Sequence, residues 1–134
     1  MLHSSEVPVG ESALLVVDAQ DSFKVTPRAL LLAKRIRRLA ITGIQMEQCC
    51  ETTARLAADL GYAVDFVVDG TMTFPIPNYD RPGEELGVEE IQTRTEYALR
   101  QRFARLTSAA QLAAELEADQ GGTGSLTGPT SPAV

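Results

Sequence analysis

Two side chains in this chain have the type and the setting for chemistry, Asp18 and Cys49. Asp18 closes the apolar run of ALLVVDAQDSF, and Cys49 stands in TGIQMEQCC. A carboxylate at the end of a buried strand needs a partner or a proton. Gly43 breaks a strand, a short turn follows, and Cys49 falls in the first turn of the next helix. The free N–H groups and dipole of a helix start stabilise a thiolate. The same N–H groups can hold an oxyanion. Together the two residues suggest covalent catalysis, with Asp18 taking the thiol proton and Cys49 attacking a carbonyl carbon. Plainer readings stand beside this one. An acid at a strand end is a common turn residue, and free cysteines are among the most buried residue types. Cys49 and Cys50 differ by about 100° around a helix, so both cannot face one site. Cys50 is the one assigned to packing.

The elements that must position these residues can be read along the chain. Residues 13–17 are a short continuous apolar run, as a buried parallel strand reads. Pro27 opens a helix at 28–36, and the basic run KRIRR (34–38) is taken as a solvated helix face rather than a binding patch. A second strand covers 39–42 and ends at Gly43. The helix 46–60 carries a stripe of Cys49, Thr53, Leu56, Ala57 and Leu60, expected to be buried, with Gly61 as its C-terminal cap. A third strand covers 63–68, and Pro75, Pro77, Asn78 and Pro82 make 71–86 a loop. A helix at 88–102, a short strand at 103–106 and a helix at 109–117 follow. Ser108 and Gln111 form a capping box for the last helix. From Asp119 the Gly/Ser/Thr/Pro-rich composition predicts disorder, so the domain is set at 1–117 and the tail at 118–134. Strands alternating with helices predict an α/β fold, a mostly parallel sheet covered on both faces, with chemistry at the carboxyl ends of the strands.

Composition sets the limits. The 134 residues make one domain, and 44% hydrophobic against 22% charged residues is an ordinary globular balance. A net charge of -6 argues against nucleic acid as a partner. The opening MLHSSEVPVGES has neither a basic start nor an apolar run, and no stretch approaches a membrane span, so a cytoplasmic chain is expected. Two adjacent cysteines give no disulfide framework. His3 is the one histidine, so no metal site is expected. A redox role for Cys49 and Cys50 is disfavoured, because a disulfide between neighbours is strained and lacks the CxxC spacing.

At this point the motifs become specific. ALLVVDAQDSF resembles the opening motif of the isochorismatase-like cysteine hydrolases, the superfamily of nicotinamidases and N-carbamoylsarcosine amidases. TGIQMEQCCETTARLAADLGYAVDFVVDGTMTF is similar to that family's nucleophile motif and following strand, with Thr42, Gly43, Cys49, Thr53, Ala54, Arg55, Ala58, Gly61, Tyr62, Asp69 and Thr71 in step. The resemblance spans about residues 12–26 and 29–117. It implies a three-layer αβα fold of Rossmann-like topology. It also implies a triad of aspartate base, lysine and cysteine nucleophile acting through a thioester that water resolves. The aspartate falls on Asp18 and the cysteine on Cys49. A cis peptide would lie at Ile44-Gln45, and the backbone N–H groups of Gln45 and Cys49 would form the oxyanion hole. Gln20 and Phe23 would line the pocket.

One departure is large. Family members carry two further strands and the catalytic lysine between the two motifs, whereas here only Lys24 to Ala40 separates them. Neither Lys24 nor Lys34 occupies the lysine motif. In a sheet ordered 3-2-1-4-5-6, losing strands two and three leaves strand one as an exposed apolar edge, which invites pairing with a second copy. The leading expectation is a cysteine-dependent hydrolase of an amide-like small molecule, forming a homo-oligomer. The alternative is a shortened, catalytically inactive relative serving as a binding or assembly domain.

Overall fold

The computed structural model describes residues 9–17 and 34–121. A single 3-10 turn (Val9–Glu11) leads into β1 (Ser12–Val17). After the connecting stretch come β2 (Arg38–Ile44) and a π-helical turn (Met46–Cys50) that runs directly into α1 (Glu51–Asp59). Next are β3 (Ala63–Met72), a small antiparallel pair of β4 (Ile76–Pro77) and β5 (Glu85–Leu86), and α2 (Val88–Leu99). The described chain closes with β6 (Arg105–Thr107) and α3 (Ala109–Gly121). Strands β1, β2, β3 and β6 form one parallel sheet in the order β1-β2-β3-β6. The fold is α/β, and β1 lies at an edge of the sheet among the described residues.

Alternation along the strands divides the sheet into two faces. Leu39 and Ile41 of β2 and Val64 and Phe66 of β3 point to one face. There they join Met46 and Cys50 of the π-helical turn, Ala54 and Ala57 of α1 and Leu99 of α2 in a single buried cluster. Phe66 and Ile41 are fully buried, each worth about 1.5–3 kcal/mol relative to exposure. The opposite face is polar at its centre. Asp65 of β3 is completely buried there. It accepts from Arg38 Nε at 2.5 Å and from Arg105 Nε at 2.7 Å. Glu115 of α3 closes the network, accepting from Arg38 Nη2 at 2.9 Å and from both terminal nitrogens of Arg105 at 2.7 and 2.9 Å. A buried carboxylate is tolerated only when paired and hydrogen-bonded in this way. The network therefore fixes α3 to its face of the sheet.

Helix ends follow their local chemistry. Leu60 ends α1, Gly61 adopts φ +89°, and Gly61 and Tyr62 donate to the carbonyls of Ala58 (2.9 Å) and Ala57 (3.0 Å). This is a Schellman cap, and the positive φ is why glycine stands there. Ser108 and Gln111 cap α3 reciprocally, each backbone N–H donating to the other's side chain at 3.1 Å. Glu90 accepts from Gly87 N at the start of α2.

Several expectations need correction. Gly43 does not end β2; the strand continues to Ile44 after a shift of register. The buried stripe that runs through the π-helical turn and α1 is Met46, Cys50, Ala54 and Ala57. Cys49, Leu56 and Leu60 are exposed and Thr53 is only partly covered. Two helix faces satisfied the spacing, and the one with small alanines lies close against the sheet. β3 extends to Met72, and β4 and β5 form within the stretch read as a loop. α2 stops at Leu99, because Arg100 turns extended and Gln101 takes φ +61°. The final strand is Arg105–Thr107, and α3 continues past 117 to Gly121. Of the helix expected at 28–36, residues 28–33 lie outside the described residues. Lys34 and Arg35 form a turn, and Arg38 is buried in the ion network rather than on a wet helix face. Residues 122–134 lie outside the described residues.

Hydrogen bonds from Arg105, opposed by the cost of burial and helped by the bond from Arg38, hold the Glu115 carboxyl at about 2, below its ordinary 4.5. A depressed folded-state value means the stabilisation is complete above pH 4.5 and is lost as pH falls toward about 2. The expected outcome for Glu115→Gln is a shallower fall of the urea midpoint across that window, with a constant deficit above it. An unchanged slope would mean that the bonds of Glu115 do not contribute to folding.

Candidate active site

The carboxyl ends of the parallel strands meet beside the turn that carries Cys49. Pairing of β2 with β3 jumps from Ile41–Phe66 to Gly43–Thr71 and Ile44–Met72. Gly43 adopts φ +125° at this jump, a conformation that favours glycine. The peptide between Ile44 and Gln45 is cis. Gln45 then turns the chain, its carbonyl accepting from the N–H groups of Gln48 (3.1 Å) and Cys50 (3.2 Å). The turn Met46–Cys50 therefore starts directly at the end of β2.

Within that turn the two cysteines part company. Cys50 is fully buried against the core cluster, whereas Cys49 is exposed. The division matches the angle between neighbouring helical residues. Thr53 Oγ1 donates to the Cys49 carbonyl at 2.7 Å, tying the turn to α1. Glu51, buried one position past Cys50, receives Arg55 at 2.8 and 3.0 Å and also Arg94 from α2. Arg55 in turn lies over the Phe103 ring, 4.5 Å from its centroid. The other side of the turn is held by Glu47, whose Oε2 accepts from Thr73 Oγ1 at 2.5 Å. Thr73 directly follows β3. Further along, the irregular stretch of β3 carries Asp69, whose Oδ1 accepts from Ala109 N at 2.8 Å and caps α3.

Asp18, Gln20, Phe23 and Lys24 lie outside the described residues. Val17, the residue before Asp18, pairs with Gly43, so the described end of β1 is next to the end of β2. Ile44, Gln45 and Cys49 are brought together on one short turn. Lys34 is exposed in the turn that precedes β2. Sequence reasoning missed Glu47, Thr73, Glu51 and Asp65. The acid inside the apolar run AVDFVV was a usable signal for Asp65, since a charge in a buried strand demands a partner. Nothing local marked Thr73 as the partner of Glu47. Among the described residues no group of three or more His, Cys, Asp or Glu side chains could hold a metal ion. None of their helices is long and apolar enough to cross a membrane.

A parallel α/β sheet with an exposed thiol on the turn after a central strand defines an isochorismatase-like architecture. The isochorismatase domain family matches residues 21–111, and the chain belongs to that family. A cysteine hydrolase from Pseudomonas syringae pv. phaseolicola 1448A superposes with a TM-score of 0.64 at 18% identity, over 73% of this chain and 45% of that one. An isochorismatase-family protein from Chromobacterium violaceum ATCC 12472 gives a TM-score of 0.64 at 26% identity, covering 72% and 49%. An isochorismatase-type protein from Burkholderia xenovorans LB400 gives 0.62 at 29% identity, covering 76% and 46%. This chain thus spans a little under half the length of each.

The asymmetry of the two thiols is directly testable. Brief iodoacetamide treatment of the native protein is expected to modify Cys49 and spare Cys50, with both modified after unfolding. Mass spectrometry of the peptide that holds them reads the result. Equal labelling of both in the native state would contradict the burial of Cys50.

Proposed function

We propose that this chain is a cysteine-dependent hydrolase acting on a small amide or similar carbonyl compound. The observation that carries the reading is the exposed Cys49 on the turn that begins at the cis Ile44–Gln45 peptide, at the carboxyl edge of a parallel sheet. In this reading Asp18 accepts the thiol proton and the Cys49 thiolate adds to the carbonyl carbon. The backbone N–H groups of Gln45 and Cys49 hold the resulting oxyanion. Collapse breaks the bond to nitrogen, the amine leaves with a proton from Asp18, and a thioester remains. Water, deprotonated by Asp18, hydrolyses the thioester and returns the free thiol. Gln20 and Phe23 would contact the substrate. No metal or organic cofactor takes part in these steps. The acidic net charge supports a small-molecule substrate over nucleic acid, and a cytoplasmic setting suits a free reactive thiol.

The test is turnover of a panel of small amides and activated esters by the full chain, with acid quenching to trap the acyl adduct. Cys49→Ser is expected to abolish the adduct and lower kcat/KM by roughly a thousandfold or more. Asp18→Asn should lower it by about 10²–10⁴. No turnover and no adduct in the wild type, with Cys49 alkylated at the rate of an ordinary thiol, would instead leave a non-catalytic relative that serves in binding or assembly.

The same proposal extends to a homo-oligomer formed through β1. Leu14 and Val16 are 63% and 50% exposed on this edge strand. An edge strand pairs with a second copy about a two-fold axis without needing a different surface. Sedimentation equilibrium should give a dimer for the wild type and a folded monomer for Val16→Lys. A wild-type monomer at tens of micromolar would remove this part.

A further inference from the structure

We infer that Glu47 and Thr73 are a positioning pair for Cys49, clamping the turn that presents the thiol to the end of β3. The inference deepens the reading of Cys49 as the reactive group and rests on it. Its test, however, requires no substrate.

Glu47 is two residues before Cys49 on one helical turn. Side chains two apart on a helix point to different sides, so Glu47 acts through the backbone of the turn. The inner side of the turn is set by Met46 and Cys50, both buried in the core. Apolar burial by itself has no direction. The Glu47–Thr73 hydrogen bond adds direction. At 2.5 Å it has the length of a hydroxyl donating to a carboxylate, the stronger class of hydrogen bond. It links residues 26 apart in sequence, joining the end of β3 to the turn that follows β2. The pairing of Ile44 with Met72 brings the two chain segments side by side, and the clamp joins the residue after Met72 to the third residue after Ile44.

The second oxygen of Glu47 makes the clamp selective. Oε1 is buried and, among the described residues, accepts no hydrogen bond, unlike Glu51, whose two oxygens receive Arg55 and Arg94. A buried carboxylate oxygen with no donor is unfavourable. Among the described residues, Thr73 is the donor that keeps this carboxylate in place. Without the hydroxyl, both oxygens would lack a donor, and the turn would move until they reached water. Thr73 thus decides whether the turn holds its position and whether Cys49 keeps its orientation over the strand ends.

The measurement is the pH dependence of Cys49 alkylation by iodoacetamide in the full chain, read by mass spectrometry. Thr73→Val is expected to slow alkylation at neutral pH by about three- to tenfold, the range one net hydrogen bond supports. Thr73→Ser, which keeps the hydroxyl, should restore the wild-type rate and pH midpoint. Thr95→Val, at a buried hydroxyl that also has no partner, serves as the control and should leave the rate unchanged. Glu47→Gln separates positioning from simple charge. Loss of a negative charge near a thiol favours the thiolate and speeds alkylation, whereas a weakened clamp slows it. Slower labelling in Glu47→Gln supports the inference. Labelling at or above the wild-type rate in Glu47→Gln overturns it, and this variant remains informative if Thr73→Val does not fold. Wild-type labelling in a folded Thr73→Val also overturns it. If Cys49 proves unreactive in every protein, including the wild type, the hydrolase reading fails first.

Discussion

Asp65, the third residue of β3, has no exposed surface, and its charge has to be neutralised where it stands. The two arginines that meet it come from the first residues of the neighbouring strands, Arg38 of β2 and Arg105 of β6. A one-residue slip of either strand would turn its arginine to the other face of the sheet. It would leave Asp65 as an unpaired buried charge, a state that costs about 3–5 kcal/mol. The ion network therefore selects one register for three parallel strands. Burial of apolar surface supplies more total stabilisation but tolerates small shifts, because it has no direction. Glu115 extends the same constraint to α3, so one charged cluster sets both the sheet and a layer that covers it.

Register at one end of the strands determines what meets at the other. With Arg38 fixed at its start, β2 reaches its carboxyl end at Ile44, beside Met72. The cis peptide follows immediately, and the turn from Met46 places Cys50 in the core and Cys49 outside. The interactions around this turn have separate tasks. Cys50 and Met46 hold it against the sheet by apolar contact. Thr53 joins it to α1, Glu51 joins it to α2 through Arg94, and Glu47 joins it to the end of β3. A five-residue turn is thus tied to three neighbouring elements besides the strand it leaves. Preorganisation of that kind is what a reacting group requires, since displacement by an ångström is enough to impair it.

The sequence was legible where the signal was local. The apolar run ending at Val17, the capping pair Ser108–Gln111 and Gly61 after α1 each report a backbone state through nearest neighbours. That Cys49 and Cys50 face different ways followed from helix geometry, although the helical period had put Cys49 on the buried stripe. Long motifs identified the family, because so many residues of the nucleophile segment fall in step. What could not be read was set by distant partners. Arg38 looked like part of a solvated basic run, but Asp65, 27 residues away, draws it inside. Leu56 and Leu60 fitted the helical period as well as Ala54 and Ala57 do. The smaller pair is buried because it lets α1 lie close against β2 and β3. Asp69 looked like one more motif residue, and its role is to cap α3, 40 residues on.

The shortened region bears unequally on the two halves of the site. Among the described residues, the side-chain hydrogen bonds and ion pairs around the Cys49 turn come from β2 onward, within the segment that matches the family. The edge strand is in the opposite position. Ala13 and Leu15 pack on the common core, while Leu14 and Val16, which alternate with them, face outward. In a doubly covered sheet those side chains would be buried under another layer. Among the described residues, then, the turn that presents a thiol is held on several sides, while Leu14 and Val16 of β1 are uncovered. Presentation of Cys49 and covering of β1 are separable properties, the first internal to this chain and the second dependent on what lies against its edge.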